Sequence, residues 1–114
     1  MIRRPLPLLA ALLIAAPLAA QNTAAGYGQR LAALTDIQRK AAIRNAVVEN
    51  GQWCRRVTGL AHQGAYKNLD MWVARCGPKP VVEYGIFLGP DGTVQVSPCA
   101  DLVKVRWPAC RRLP

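Results

Sequence analysis

Val81-Val82-Glu83-Tyr84-Gly85-Ile86-Phe87-Leu88, then Gly89-Pro90-Asp91-Gly92, then Thr93-Val94-Gln95-Val96-Ser97 is the stretch that decides the fold. Its two β-rich runs are separated by a turn with a stated mechanism: proline presets φ and glycine accepts positive φ. An antiparallel hairpin follows, with Val94 and Val96 on one face of the returning strand. Upstream, Cys54 to Leu60 and Leu69 to Cys76 read as two further strands, with His62 to Asn68 as a polar turn region between them. Gly77-Pro78-Lys79-Pro80 ends the second of these, because proline cannot continue a central ladder. After Pro98, Val103, Val105 and Trp107 alternate with Lys104 and Arg106, the pattern of a last edge strand or an extended tail.

The pattern before Trp53 is helical. Thr35-Asp36-Ile37-Gln38 has capping-box spacing, and Asn50-Gly51 supplies the carboxy-terminal stop. On a helical projection Leu34, Ile37, Ala41 and Val48 fall together, flanked by Val47 and opposite Arg39, and are expected to face the sheet. Alanines 41, 42 and 46 keep the helix slim. Sixteen helical residues span about 24 Å, the length of a six- or seven-residue strand. The expected fold is therefore α+β, with one N-terminal helix packed on a four- to five-stranded antiparallel meander and stapled by disulfides.

Met1 to Ala20 has the form of an export signal, with Arg3 and Arg4 as a charged head, an apolar stretch and small residues at its end. Residues 21–34, with Gly26 and Gly28, read as a flexible lead-in, and residues 35–114 as one small domain. After Ala20 no apolar run reaches the roughly 18 residues of a spanning helix, so a periplasmic or secreted product without a membrane span is expected. About 94 residues remain, too few for two cores, and a domain of that size is marginal without staples.

Four cysteines in an exported chain point to disulfides. They allow three connectivities. A hairpin centred near Ala65 would set Cys54 across from Cys76, leaving Cys99 to pair with Cys110. Their spacings include no C-x-x-C for thiol exchange, no haem attachment motif and no close zinc pair. His62 is the only histidine, and the six acids have ordinary structural roles at a helix start, a turn and strand positions. Glu83 is expected to face solvent from within its strand, and Gly85 to mark a bulge. No catalytic residue, metal site or cofactor is expected.

The formal charge is +9, and about +7 once Arg3 and Arg4 are removed. Such a surface keeps a protein soluble and favours encounter with polyanions, phospholipid heads and acidic proteins. No recognition-helix, zinc-finger or ribonucleoprotein motif points to specific nucleic-acid binding. Candidate binding residues are Trp53, Arg55 and Arg56, with Lys104, Arg106, Trp107, Arg111 and Arg112, where aromatic rings lie beside cations.

The helix ending in Glu49-Asn50-Gly51, the strand opening at Cys54, Met71-Trp72-Val73-Ala74-Arg75-Cys76, and Gly89-Pro90-Asp91-Gly92-Thr93-Val94 together resemble small exported PepSY-like bacterial domains over Ala42 to Val96. Trp72 and Ala74 replace the aromatic and aliphatic residues of that family's Y-x-V-x-C strand end, and the Cys99 to Pro114 tail departs from it. The resemblance implies a non-catalytic envelope module that binds another protein through a sheet face or edge and restrains an exported enzyme or senses at the envelope. The alternative expectation is an electrostatic binder of anionic envelope polymers or lipids through Arg55, Arg56, Lys104, Arg106, Arg111 and Arg112.

Overall fold

The computed structural model describes residues 24–114; the expected export signal and the start of the expected lead-in lie outside the described residues. Helix α1 (Ala24–Ala33) and helix α2 (Asp36–Glu49) precede strands β1 (Arg56–Tyr66), β2 (Leu69–Gly77), β3 (Val82–Leu88) and β4 (Val94–Pro98), and a single helical turn, α3 (Cys99–Leu102), follows. The strands form one antiparallel meander in the order β1-β2-β3-β4. This is the expected α+β architecture, with four strands.

Both faces of the sheet are covered. Trp72, Ala74 and Cys76 of β2 and Tyr84 and Ile86 of β3 pack under the helices with Ile43 and Val47. The alternate residues, Met71 and Val73 of β2 and Phe87 of β3, pack under the C-terminal segment with Leu102 and Leu113. Successive strand side chains point to opposite faces, so a strand buried on both sides reads as a nearly unbroken apolar run, as Met71 to Ala74 does. The tail is a third layer, not a fifth strand. Past α3 it turns over residues 103–106 and then crosses the sheet, where the Gln63 side chain of β1 donates to Ala109 O and accepts from Arg111 N, both at 2.8 Å. Trp107 meets Phe87 edge-on at 4.9 Å between centroids and lies 5.5 Å from Tyr66.

Five local expectations are corrected. The lead-in 21–34 is not a flexible segment over its described part, since α1 occupies Ala24–Ala33. Arg39, expected on the outer side, reaches back to close α1, donating to Leu31 O, Ala32 O and Leu34 O. His62 to Asn68 is not all turn: a two-residue reversal at Lys67-Asn68 is enough, and His62 to Tyr66 continue β1. Gly85 is in regular register opposite Val73 rather than in a bulge; a Cβ there would lie 2.7 Å from Leu102 Cδ1, so glycine admits the tail. The last expected strand, Val103 to Trp107, is absent because Leu102 is drawn onto the sheet and the chain folds back to Cys110.

The α2 face is also reversed. The capping box forms, with Thr35 Oγ1 accepting from Gln38 N and Gln38 Oε1 accepting from Thr35 N. However, the residues turned to the sheet are Ile43 and Val47, while Ile37 is 81% exposed and Val48 45%. The two groups are separated by about 120° around the helix axis. With α1 and the sheet enclosing Ile43 and Val47, the Ile37-Ala41-Val48 stripe is left outward.

Candidate functional site

The cysteines pair as Cys54–Cys76 and Cys99–Cys110, with Cα separations of 5.1 and 5.7 Å. Cys76 lies opposite Val57 in the ladder, so Cys54 reaches it from just before β1 rather than from a facing strand position. No free cysteine remains among the described residues. Two disulfides indicate an oxidising compartment. No described helix is long and apolar enough to cross a membrane.

The candidate binding residues fall into two groups on different sides of the molecule. Trp53, Arg55 and Arg56 lie where the chain leaves α2 for β1, all exposed. Tyr84 Oη donates to Trp53 O at 2.6 Å, fixing this segment to the helix side of the sheet. Burial holds the Tyr84 hydroxyl above the ordinary phenol range. Arg44 Nε donates to Arg55 O at 2.8 Å, which sets the connection beside the outward face of α2. Arg44 itself lies on that face, three residues after Ala41 and four before Val48, and such residues are neighbours on a helix. The outer surface of α2 thus carries Ile37, Ala41, Arg44 and Val48, and Arg44 joins it to the backbone of the segment that bears Trp53 and Arg55.

Lys104, Arg106, Arg111 and Arg112 are exposed on the tail, which covers the other face of the sheet. Trp107 is half-buried against Phe87 and belongs to the packing there. Lys104 also pairs with Asp101 at 3.4 Å, a solvent-exposed contact of little energetic weight. Both faces of the sheet are covered, so of the expected contact surfaces, a sheet face or a sheet edge, only an edge is left open.

A third constellation was not singled out from sequence. Asp70, 6% exposed, is the buried charged residue of the described chain. Its Oδ1 lies 2.6 Å from His62 Nε2 and its Oδ2 accepts from Trp72 Nε1 at 3.0 Å. Gly28 of α1 abuts the carboxylate so closely that a Cβ on it would collide with Asp70 Oδ2. The alternation of β2 could have indicated this, since Asp70, Trp72, Ala74 and Cys76 share one face. A half-exposed histidine oriented by a buried carboxylate can accept or relay a proton. The hollow beside it, lined also by Gln29 and Ala32, has no hydroxyl or thiol nucleophile on its walls among the described residues. No group of three His, Cys, Asp or Glu residues suited to a metal ion occurs among the described residues. The arrangement joins α1 to the sheet: one carboxylate ties β1 to β2 through His62 and seats the helix on β2 at Gly28.

Compared with known proteins, the chain matches no family model, no curated protein and no solved structure.

Proposed function

We propose that the protein is an exported, periplasmic or secreted, non-catalytic module that binds another protein through the outer face of α2. The observation that carries this reading is the apolar stripe of Ile37, Ala41 and Val48, which the fold leaves in solvent while Ile43 and Val47 fill the core. Arg44 lies on the same face, and the exposed Arg55 and 42%-exposed Trp53 belong to the segment whose backbone Arg44 holds. Arginine and tryptophan are the side chains most often found to dominate interface energetics. The cations on this border favour a partner whose apolar contact is rimmed by acids. The PepSY-like resemblance of Ala42 to Val96 supports the same class of role, restraint or modulation of an exported enzyme.

The experiment is capture from an envelope extract by the oxidised protein at 0.1 M and 1 M salt, alongside an Ile37→Ser/Val48→Ser variant. An acidic protein held by the parent at both salt concentrations and lost by the variant is the expected result. Equal capture by parent and variant refutes the surface assignment.

A second reading has its own observation. Val103 and Val105 are 65% and 61% exposed within the loop closed by Cys99–Cys110, next to Lys104 and Arg106. That combination suits an anionic lipid or polymer surface, each cation near such a membrane contributing about 1 kcal/mol. Sedimentation with phosphatidylglycerol vesicles that disappears at 1 M salt would favour it over the first reading.

A further inference from the structure

The sheet ends at β1 and β4, and only the first of these edges is blunted. β1 has register shifts between Val57 and Gly59 and between His62 and Gly64, and it opens with the charged Arg56. Bulges and edge charges are devices that stop another strand from pairing. β4 (Val94–Pro98) pairs with β3 in unbroken register and has no charged residue. Gly89 N donates to Thr93 O at 2.8 Å, which fixes the groups of β4 that face inward. Along an antiparallel pair, hydrogen-bonded and non-hydrogen-bonded positions alternate. Gln95 and Ser97 therefore direct their backbone groups at β3, whereas Val94 and Val96 direct both N–H and C=O outward. No strand lies beyond β4, and no backbone group of the described residues bonds to these outward groups.

Val94 also lines a hollow of about 290 Å³ between α1, α2 and the β3–β4 turn. Leu31, Ile43 and Leu88 are further apolar walls, and the short side chains of Ala42 and Ala46 leave the space open. A residue added opposite Val94 would point its side chain to the same side of the sheet as Val94. That is the side of the hollow.

We propose that β4 takes up an extended segment of an acidic partner protein as a fifth, antiparallel strand, with aliphatic residues opposite Val94 and Val96. Each valine exchanges a pair of backbone hydrogen bonds with the residue facing it, and the side chain opposite Val94 enters the hollow. In such additions main-chain bonds supply affinity and the side-chain pocket supplies specificity. The formal charge of +9 selects the source: a second copy brings the same charge and is repelled, whereas a segment flanked by acids is attracted. The edge goes beyond the outer face of α2 and does not rest on it, because Ala42 and Ala46 lie about 120° or more around the helix from Ile37 and Val48.

The test is titration of the oxidised protein with the capped peptide Glu-Thr-Val-Thr-Leu-Thr-Glu, followed by amide chemical shifts. In the antiparallel sense its Val faces Val96 and its Leu faces Val94. Saturable shifts are expected at the amides of Val94, Val96, Ala42 and Ala46. N-methylation of the peptide at Val and Leu removes the donors aimed at β4 and should weaken binding about tenfold. N-methylation at the central Thr, whose N–H points away, should leave binding within about twofold. Val96→Pro removes an outward N–H where an edge strand tolerates proline, and should abolish binding with the fold retained; if that variant does not fold, the N-methylated peptides decide the same point. Ala46→Leu suits a helix, fills the hollow and should weaken the peptide about tenfold, while a peptide with Ala in place of its Leu is unaffected. Lysines in place of the glutamates should weaken binding at about 0.05 M salt and not at about 1 M. The Ile37→Ser/Val48→Ser variant should bind as the parent does, so failure of this edge and failure of the α2 surface are read separately. Absence of saturation at millimolar peptide overturns the proposal, as does equal binding of the N-methylated peptides. Equal binding of the lysine and glutamate peptides at low salt overturns the acidic partner. Dimerisation that strengthens with salt and is lost in Val96→Pro, with no response to the peptide, assigns the edge to a second copy and also overturns it.

Discussion

Replacing Asp70 with alanine should destabilise the fold by about 2–3 kcal/mol, and the structure shows where that cost arises. The carboxylate accepts from Trp72 Nε1 at 3.0 Å and lies 2.6 Å from His62 Nε2. Hydrogen bonds to a charged group contribute about 1.5–3 kcal/mol, and a buried donor left without a partner costs about 1–3 kcal/mol. His62 is half-exposed and can turn to water, whereas Trp72 is buried, so the loss falls mainly on the indole. Removing the acid also relieves the cost of holding a charge at 6% exposure, which brings the net below the sum of both bonds. The assay is urea unfolding of the oxidised protein followed by far-ultraviolet circular dichroism. Trp72→Phe, which removes the N–H together with the pyrrole part of the buried indole, should cost about 2–3 kcal/mol. If the indole is the principal partner, the double variant should cost about 1 kcal/mol less than the two single changes added. Full additivity, or a loss under 0.5 kcal/mol for Asp70→Ala, would refute the reasoning.

Gly85→Ala would put a Cβ 2.7 Å from Leu102 Cδ1 and 3.1 Å from the Phe87 ring, and should cost about 1–3 kcal/mol in urea unfolding, with partial recovery when Leu102→Ala is added. Paired Cys→Ser replacement should cost about 3.4 kcal/mol at Cys54–Cys76 and about 2.8 kcal/mol at Cys99–Cys110 in the chain-entropy model, following sequence separations of 22 and 11. Val47→Ala should lower stability by about 1–3 kcal/mol, whereas Val48→Ala, one residue on, should stay within about 0.5 kcal/mol; equal losses would contradict the orientation of α2. Asp91 is held below the usual carboxylate range by bonds from the Thr93 side chain and amide. Its contribution is therefore present above the unfolded value near pH 4 and is lost as pH falls through the lower folded value, so the acid side of the stability curve should flatten in Asp91→Asn.

What was legible in the sequence was what local chemistry determines. The Thr35 capping box, the Gly89-Pro90-Asp91-Gly92 turn and the period-2 runs around it each depend on a few adjacent residues, and each appears where it was read. The disulfide pairing also followed, because any tight hairpin between Cys54 and Cys76 brings them close. The misses share another cause. Gly28 reads as a helix breaker, at a cost of about 1 kcal/mol against alanine, but the space its missing side chain leaves is filled by Asp70, forty-two residues on. Gly85 is explained by Leu102, and the alternating residues after Pro98 lose their strand character to a disulfide and a buried leucine. For the two glycines the deciding partner is distant in sequence, and for the tail it is the seat of Leu102 among Met71, Val73 and Phe87, so no local period could reveal them.

The orientation of α2 bears most directly on function. A helix with two apolar stripes satisfies the same periodicity whichever stripe turns inward, and the choice is made by its neighbours. Arg39 fixes α1 across the start of α2, and Tyr84 and Arg44 fix the exit toward β1, so rotation by 120° would break contacts at both ends. Ile37 and Val48 are therefore held outward by polar anchors rather than left outward by a loose fit. Burial would stabilise a complex by about 1.5–3 kcal/mol at Ile37 and about half as much at Val48, which is only 45% exposed, and the helix presenting them is already ordered. A partner docking here would meet a preorganised surface, with little further ordering entropy to offset the gain.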